Sequence, residues 1–193
     1  MRILSGKYKG HKLLPPPPGS PTRPITGRVK KSLFGMLSGR LVDAAVVDLY
    51  CGTGSMGLEA LSRDARACWF AERDRRVLGR LRRNIEALGA AAACTVWAGD
   101  LTRGLARRLD EIDTAVDVAF VDPPYAAARR WSWPAAESTI FAPLAEHLAR
   151  DGVVALRLPR GAEPPEALGG LALRRTRRYG EMVLALLEHR EAE

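Results

Sequence analysis

Apolar and polar positions follow two patterns between residues 45 and 159. Short apolar runs, AVVDLY, ACWFAE, ACTVWAGD, VDVAFVD and GVVALRLP, are typical of strands that are buried on both faces. Between them, apolar residues recur every three or four positions, as at Val77, Leu81 and Ile85, which predicts amphipathic helices. Strands that alternate with helices pair in parallel through right-handed crossovers. The pattern therefore predicts an α/β fold with a doubly wound, mostly parallel sheet.

The last part of the chain lacks this alternation. Residues 171–191 contain two apolar runs that flank a turn near Gly180, which predicts an antiparallel hairpin. With this terminal hairpin at its edge, the sheet is predicted to have seven strands.

The first 40 residues follow a third pattern. Short alternating runs in residues 2–14 predict a small β-hairpin. The prolines of PPPPGSPTRP cannot join a helix or a sheet ladder and indicate a stiff linker. A helix with its basic side outward is then predicted by the apolar stripe Val29, Leu33 and Leu37. We expect two parts, an N-terminal appendage at residues 1–40 and a main domain at residues 41–193.

Charge is distributed unevenly along the chain, whose net charge is +8. No Asp or Glu precedes Asp43, whereas the same region carries Arg2, Lys7, Lys9, Lys12, Arg23, Arg28, Lys30, Lys31 and Arg40. A field of one sign attracts polyanions, and this favours a nucleic-acid partner over a merely solvated basic surface.

The composition excludes several other classes of protein. The 193 residues are 47% hydrophobic, enough for a full core, and no apolar run approaches a membrane span or a signal peptide. We expect a cytoplasmic monomer without a membrane contact. Cys51, Cys68 and Cys94 have neither zinc-site nor disulfide-framework spacing, so no metal is expected.

The segment DLYCGTGSMG, residues 48–57, matches the G-x-G-x-x-G pattern of nucleotide-cofactor sites. Gly52, Gly54 and Gly57 follow a predicted strand and open a helix, where free N–H groups can approach a ligand. The pattern is equally compatible with NAD and with S-adenosylmethionine. Asp48 favours S-adenosylmethionine, because a carboxylate attracts its cationic amino group and would repel the pyrophosphate of NAD.

Two further acids end the next predicted strands. Glu72 can accept hydrogen bonds from both ribose hydroxyls, and Asp100 can accept one from an adenine amino group while Leu101 packs the ring. The ordinary alternatives are a turn cap for Asp48, a surface acid for Glu72 and a helix N-cap for Asp100. Because the carboxyl ends of parallel strands meet at one edge, we expect these acids to share a site.

The tetrapeptide DPPY, Asp122 to Tyr125, follows the fourth predicted strand and suggests the chemistry. The exocyclic amine of a base is a poor nucleophile, because its lone pair is delocalised into the ring. Two acceptors, the Asp122 carboxylate and the Pro123 carbonyl, can orient the amine toward an electrophilic methyl group while Tyr125 stacks on the base.

The order DLYCGTG, ERD, GD and DPPY resembles the amino-methylating enzymes that use S-adenosylmethionine. The head, MRILSGKYKGHKL followed by TRPITGRVKKSLF, and the tail RRYGEMVLALLE are similar to the RsmD-type family, and the resemblance spans almost the whole chain. It implies a Rossmann-like fold and methyl transfer from S-adenosylmethionine to the N2 amine of a guanine in 16S rRNA, either free or in the assembling small ribosomal subunit.

The same resemblance implies three sets of functional residues. The cofactor-binding set is Asp48, Tyr50, Gly52, Gly54, Glu72, Arg73, Asp100 and Leu101. The catalytic set is Asp122, Pro123, Pro124 and Tyr125. The RNA-binding set is Lys7, Lys9, Arg23, Arg28 and Lys30.

The chain departs from the family pattern at Gly27 and near Arg157, where the family has acids, and at Gly35, where it has Asn. Trp131 and Trp133, which follow DPPY, can either stack on a base or pack beneath the loop. Two other activities stay open at this point. A DNA adenine-N6 methyltransferase uses a similar loop but needs a target-recognition domain, and an NAD-binding oxidoreductase shares the glycine pattern.

Overall fold

A computed structural model describes residues 1–20 and 25–190. Its strands are β1 (Ala45–Leu49), β2 (Ala67–Glu72), β3 (Cys94–Ala98), β4 (Val116–Val121), β5 (Leu148–Pro159), β6 (Ala167–Leu168), β7 (Leu171–Tyr179) and β8 (Met182–His189). Its helices are α1 (Gly27–Met36), α2 (Gly57–Ser62), α3 (Arg75–Ala87), α4 (Leu105–Leu109), α5 (Tyr125–Ala128), α6 (Trp133–Ala136) and α7 (Ala142–His147). A 3₁₀ turn (Ala91–Ala93) precedes β3, and a π-helical turn (Glu137–Phe141) joins α6 to α7.

The strands form one sheet in the order β3-β2-β1-β4-β5-β8-β7-β6. β1 to β5 are parallel, and β8, β7 and β6 continue the sheet in antiparallel pairs. This confirms the predicted Rossmann-like sheet with its terminal hairpin. The sheet has eight strands instead of the predicted seven, because the two-residue β6 also pairs with β7. The order reverses between β1 and β4, which places a crevice at their carboxyl ends.

Helices cover both faces of the sheet, which separates the core into two apolar clusters. On one face, Leu33 and Phe34 of α1 pack with Leu58 of α2 and Leu81 of α3. On the other face, the cluster includes residues of α4, α6, the π-helical turn and α7. No helix in the described part of the chain is long and apolar enough to cross a membrane.

The N-terminal segment folds onto the first of these faces. The predicted β-hairpin is reduced to a single antiparallel bridge between Arg2 and Lys12. Ile3 and Leu13 are buried in the same cluster as α1 and α2. Residues of the N-terminal part therefore contribute to the main core, and the domain boundary at residues 40 and 41 stays a prediction.

The far edge of the sheet is sparsely covered. β6 pairs only with Leu171 and Ala172 of β7. Beyond these residues no strand in the described ranges pairs with the outer edge of β7, whose residues from Arg174 to Arg178 are exposed.

Candidate active site

A cavity of about 390 Å³ opens at the carboxyl edge of β1, β2, β3 and β4. Each of these strands delivers one segment of the wall, because every loop that leaves a parallel strand begins at this edge. The segments are residues 50–53, 72–74, 99–102 and 122–125. The structure thus brings together Tyr50, Gly52, Glu72, Arg73, Asp100, Leu101 and the whole DPPY tetrapeptide.

Asp48 lies beneath the glycine-rich turn and is not part of the cavity wall. Its side chain is fully buried, and its Oδ2 accepts a hydrogen bond of 2.8 Å from the Gly57 amide at the start of α2. Its Oδ1 is buried without a hydrogen-bond partner among the described residues. Burial raises the pKa of Asp48 to about 8, against the opposing effect of the Gly57 hydrogen bond. Through this hydrogen bond the Asp48 carboxyl group connects β1 to α2 beneath the turn.

The glycines of the turn allow left-handed backbone conformations and also leave room for neighbouring side chains to pack closely. Gly52 and Gly54 have φ of +58° and +85°, in the left-handed region. A Cβ on Gly54, which does not line the cavity, would lie 2.5 Å from Leu81 Cδ1. A Cβ on Gly57 would lie 2.4 Å from Phe70 Cε1. The absence of a Cβ at these positions therefore lets α3 approach the turn and α2 approach β2.

Gly57→Ala is expected to lower the free energy of unfolding by about 1–3 kcal/mol, because the added methyl group overlaps Phe70. Urea denaturation followed by circular dichroism measures this change. Gly79→Ala is the matched control, since nothing lies within 4 Å of a Cβ added there. That substitution is expected to add about 0.5–1 kcal/mol, as Ala replaces Gly within a helix. Equal stability of Gly57→Ala and wild type would contradict the close packing.

Glu72 links the end of β2 to the glycine-rich turn. Its Oε2 accepts a hydrogen bond from the Gly52 amide at 3.1 Å, and its Oε1 accepts from the amides of Arg73 and Asp74 at 2.8 and 2.9 Å. These donors fix the carboxylate at the cavity wall. An ionised carboxylate has about four lone-pair sites, so acceptor capacity is left for a ligand hydroxyl.

Asp100 and Leu101 form the wall after β3. Asp100 is exposed, and its Oδ1 accepts hydrogen bonds from the hydroxyl and the amide of Thr102 at 2.8 and 3.0 Å. The hydrogen bond from the Thr102 side chain is the main cause of the lowered pKa of Asp100. The lowered pKa keeps the Asp100 carboxyl group ionised. Leu101 is buried and offers an apolar surface beside this acceptor.

The DPPY loop places a largely buried carboxylate against a cation. Arg157 Nε donates to Asp122 Oδ1 at 2.5 Å, and the guanidinium carbon lies 5.6 Å from the centre of the Tyr125 ring. Burial raises the pKa of Asp122, and the charge of Arg157 opposes the rise. Pro123 and Pro124 interrupt the strand, and α5 begins at Tyr125.

Several wall residues were not predicted from the sequence. The sequence indicates Arg157 only as a departure from the family pattern, although its position two residues before the end of a predicted strand is a usable signal. Met1, Pro16 and Ile25 reach the cavity through the fold of the N-terminal segment, which local sequence does not encode. Trp131 also lines the cavity, and its ring centre lies 6.3 Å from that of Tyr50. Trp133 does not line the cavity and packs against Trp131.

The predicted RNA-binding residues are dispersed. Lys7, Lys9 and Arg28 are exposed, and Arg23 lies outside the described residues. The Lys7 amide donates to the carbonyl of Ser62, the last residue of α2. Lys7, Lys9 and Arg28 are not among the residues that line the cavity.

The prediction that Lys30 lies on an outward basic face is wrong. Its side chain is 3% exposed and pairs at 2.9 Å with Glu59, which is 0% exposed. Burial lowers the pKa of Lys30, and Glu59 opposes this effect. Lys30 is buried because the N-terminal segment covers this side of α1, so that the lysine also donates to the Arg2 carbonyl at 3.4 Å. It has no surface from which to contact RNA.

Metal ligands do not cluster in the described ranges. No group of three or more His, Cys, Asp or Glu side chains there could hold a metal ion.

Comparison with known proteins identifies the class. The structure superposes with a TM-score of 0.78 on YhhF of Escherichia coli, provisionally described as a methyltransferase, at 30% identity over 98% of this chain and 97% of the other. Ribosomal RNA small subunit methyltransferase D of E. coli is 39% identical over 126 residues, which cover 65% of this chain and 60% of that protein. The fold is that of a Rossmann-like methyltransferase, the class to which these relatives belong.

The family follows from matches along the whole chain. The family model described as conserved hypothetical protein 95 matches residues 1–188. YlbH of Bacillus subtilis, provisionally described as an rRNA methyltransferase, is 30% identical over 192 residues, 98% of this chain and 100% of the relative. The chain belongs to this family, which confirms the resemblance to the RsmD type.

Proposed function

We propose that this protein transfers a methyl group from S-adenosylmethionine to the N2 amine of a guanine in 16S rRNA. The observation that carries the proposal is the DPPY loop, because Asp122 and Pro123 line the same cavity as the glycine-rich turn and Glu72. The relatives named ribosomal RNA small subunit methyltransferase D support the class of substrate.

The residues of the cavity fit S-adenosylmethionine. The volume of about 390 Å³ is in the range of small-ligand pockets. The carboxylates of Glu72 and Asp100 line it, and they favour a cationic sulfonium compound over a pyrophosphate. Glu72 would hold the ribose, and Asp100 with Leu101 the adenine. When bound, the cofactor supplies a methyl group that its sulfonium centre already activates.

The DPPY loop would orient the nucleophile. The Asp122 carboxylate and the Pro123 carbonyl accept the two N–H groups of the guanine amine, which turns its lone pair toward the methyl group. The Tyr125 ring stacks on the base. Once the nitrogen has formed its new bond it is acidic, and Asp122 or water takes the proton.

The test is methylation of defined nucleic acids with S-adenosylmethionine labelled in its methyl group. Free 16S rRNA and small ribosomal subunits, both from a strain that lacks the corresponding enzyme, are compared with duplex DNA. The expected product after nuclease digestion is labelled N2-methylguanosine from an RNA substrate. Label in N6-methyladenine of the DNA, or in neither RNA, would contradict the proposal.

Cofactor choice is tested separately by calorimetry of the protein with S-adenosylmethionine and with NAD. Binding of S-adenosylmethionine without binding of NAD is expected. The reverse preference would support an oxidoreductase instead.

A further inference from the structure

Arg157 is the one buried arginine of the cavity, as far as the described residues go, and its place is set by the sheet. In the β4–β5 register Val121 faces Leu156, so the next residues of the two strands, Asp122 and Arg157, are neighbours at the carboxyl edge. β8 pairs with Arg157 on its other side through Leu184. Arg157 is 7% exposed. β8 therefore holds its backbone on one side, and the β4–β5 pairing, which ends one residue earlier, places it beside the DPPY loop.

Two contacts connect its guanidinium to the residues proposed to orient the base. Nε donates to Asp122 Oδ1 at 2.5 Å, and the guanidinium carbon lies 5.6 Å from the centre of the Tyr125 ring. The side chains of Arg157 and Asp122 are 9% and 19% exposed, so solvent screens their interaction weakly. A single cation thus contacts both the acceptor and the stacking platform.

The protonation state of Asp122 governs how strongly the loop can act on the amine. An ionised carboxylate is a charged acceptor with about four lone-pair sites, whereas the protonated acid has fewer acceptor sites and adds an O–H donor. Protonation therefore weakens the hydrogen bond that Asp122 accepts from the amine N–H. Burial favours the protonated form of Asp122 and raises its pKa, and the opposite charge and hydrogen bond of Arg157 oppose that rise.

We propose that Arg157 is a positioning residue for methyl transfer, whose guanidinium keeps the Asp122 carboxylate ionised and fixed in orientation beside Tyr125. This role rests on the proposed function, since it assumes an amine that binds to Asp122. Arg157 itself forms no bond to the substrate in this scheme.

The first test needs no substrate. The carboxyl ¹³C resonance of Asp122, assigned through its absence in Asp122→Asn, is titrated in wild type, Arg157→Gln and Arg157→Lys. Loss of the cation is expected to raise the pKa of Asp122 by about 1–3 units in Arg157→Gln and by less in Arg157→Lys. An unchanged titration in Arg157→Gln would overturn the proposal.

The second test is the pH dependence of kcat for methyl transfer. The active, ionised form of Asp122 predominates above its pKa, so a raised pKa moves the acid limb of the kcat profile to higher pH. Arg157→Gln is expected to show this limb about 1–3 pH units higher, with activity recovering at alkaline pH and KM for S-adenosylmethionine nearly unchanged. A uniform loss at every pH, as a purely structural role would give, would overturn the proposal.

Arg160→Gln is the matched control, because Arg160 is an exposed arginine three residues further along the chain. This substitution also removes one positive charge. It is expected to leave the Asp122 titration and the pH profile of kcat the same as in wild type. Thermal unfolding of all variants shows which of them fold. If wild type methylates no guanine, the proposed function fails, whereas the ¹³C titration still decides whether Arg157 controls the ionisation of Asp122.

Discussion

Asp122→Ala is expected to lower the rate of methyl transfer by about 10²–10³-fold and to leave the affinity for S-adenosylmethionine nearly unchanged. The loss follows from the removal of a preorganised acceptor that acts on the amine in the transition state. Glu72, Asp100 and Leu101, the residues proposed to hold the cofactor, belong to other strand ends and stay in place. Single-turnover transfer of a labelled methyl group measures the rate, and calorimetry measures the affinity.

Two further variants make the result specific. Asp122→Asn keeps the shape and one oxygen acceptor but lacks the charge, so an intermediate rate is expected. Asp113→Ala removes an exposed carboxylate elsewhere and should behave as wild type. Because Asp122 faces Arg157, the melting temperature of each variant is measured first. Transfer by a folded Asp122→Ala within a few-fold of wild type would contradict the assigned role of the loop.

Glu59→Ala is expected to lower the free energy of unfolding by about 3–5 kcal/mol, because it leaves the buried charge of Lys30 without its partner. Glu59 also accepts hydrogen bonds from the amides of Leu4 and Ser5 at 2.8 and 3.1 Å and pairs with Arg63 at 2.9 Å. One carboxylate on α2 therefore fastens both the N-terminal segment and α1. Urea denaturation measures the loss.

Glu86→Ala is the control for this prediction, since Glu86 is exposed on α3 and its removal should change stability by less than about 0.5 kcal/mol. The double variant Lys30→Met with Glu59→Met removes both charges and is expected to recover much of the stability that Glu59→Ala loses. If Glu59→Ala lowers the free energy of unfolding by less than about 1 kcal/mol, the Glu59 carboxylate does not hold the N-terminal segment and α1 in place.

The sequence predicted the elements whose pattern is long or unambiguous. The apolar runs located the five parallel strands, and the stripe of Val77, Leu81 and Ile85 located α3. Because the carboxyl ends of the parallel strands lie at one edge of a doubly wound sheet, the sequence alone predicted that Glu72, Asp100 and Asp122 lie at the same edge. Short helices such as α4 and α5 complete barely one turn, so no period could predict them.

What the sequence could not predict depends on packing between distant segments. Lys30 is adjacent in sequence to the apolar stripe of α1, and only the N-terminal segment that folds over it makes it a core residue. Asp48 was expected to face a ligand, yet it bonds to the Gly57 amide beneath the turn. Arg157 became relevant only when the β4–β5 register placed it beside Asp122.

The exposed edge of β7 has a consequence for contacts between copies of the protein. An open strand edge is a template for strand addition, by which two sheets join through main-chain hydrogen bonds. Here the open part of the strand, RRTRR, carries Arg174, Arg175, Arg177 and Arg178. Two such edges in register would place guanidinium groups of like charge opposite each other, which is destabilising. Electrostatic repulsion at this edge therefore opposes sheet-to-sheet self-association.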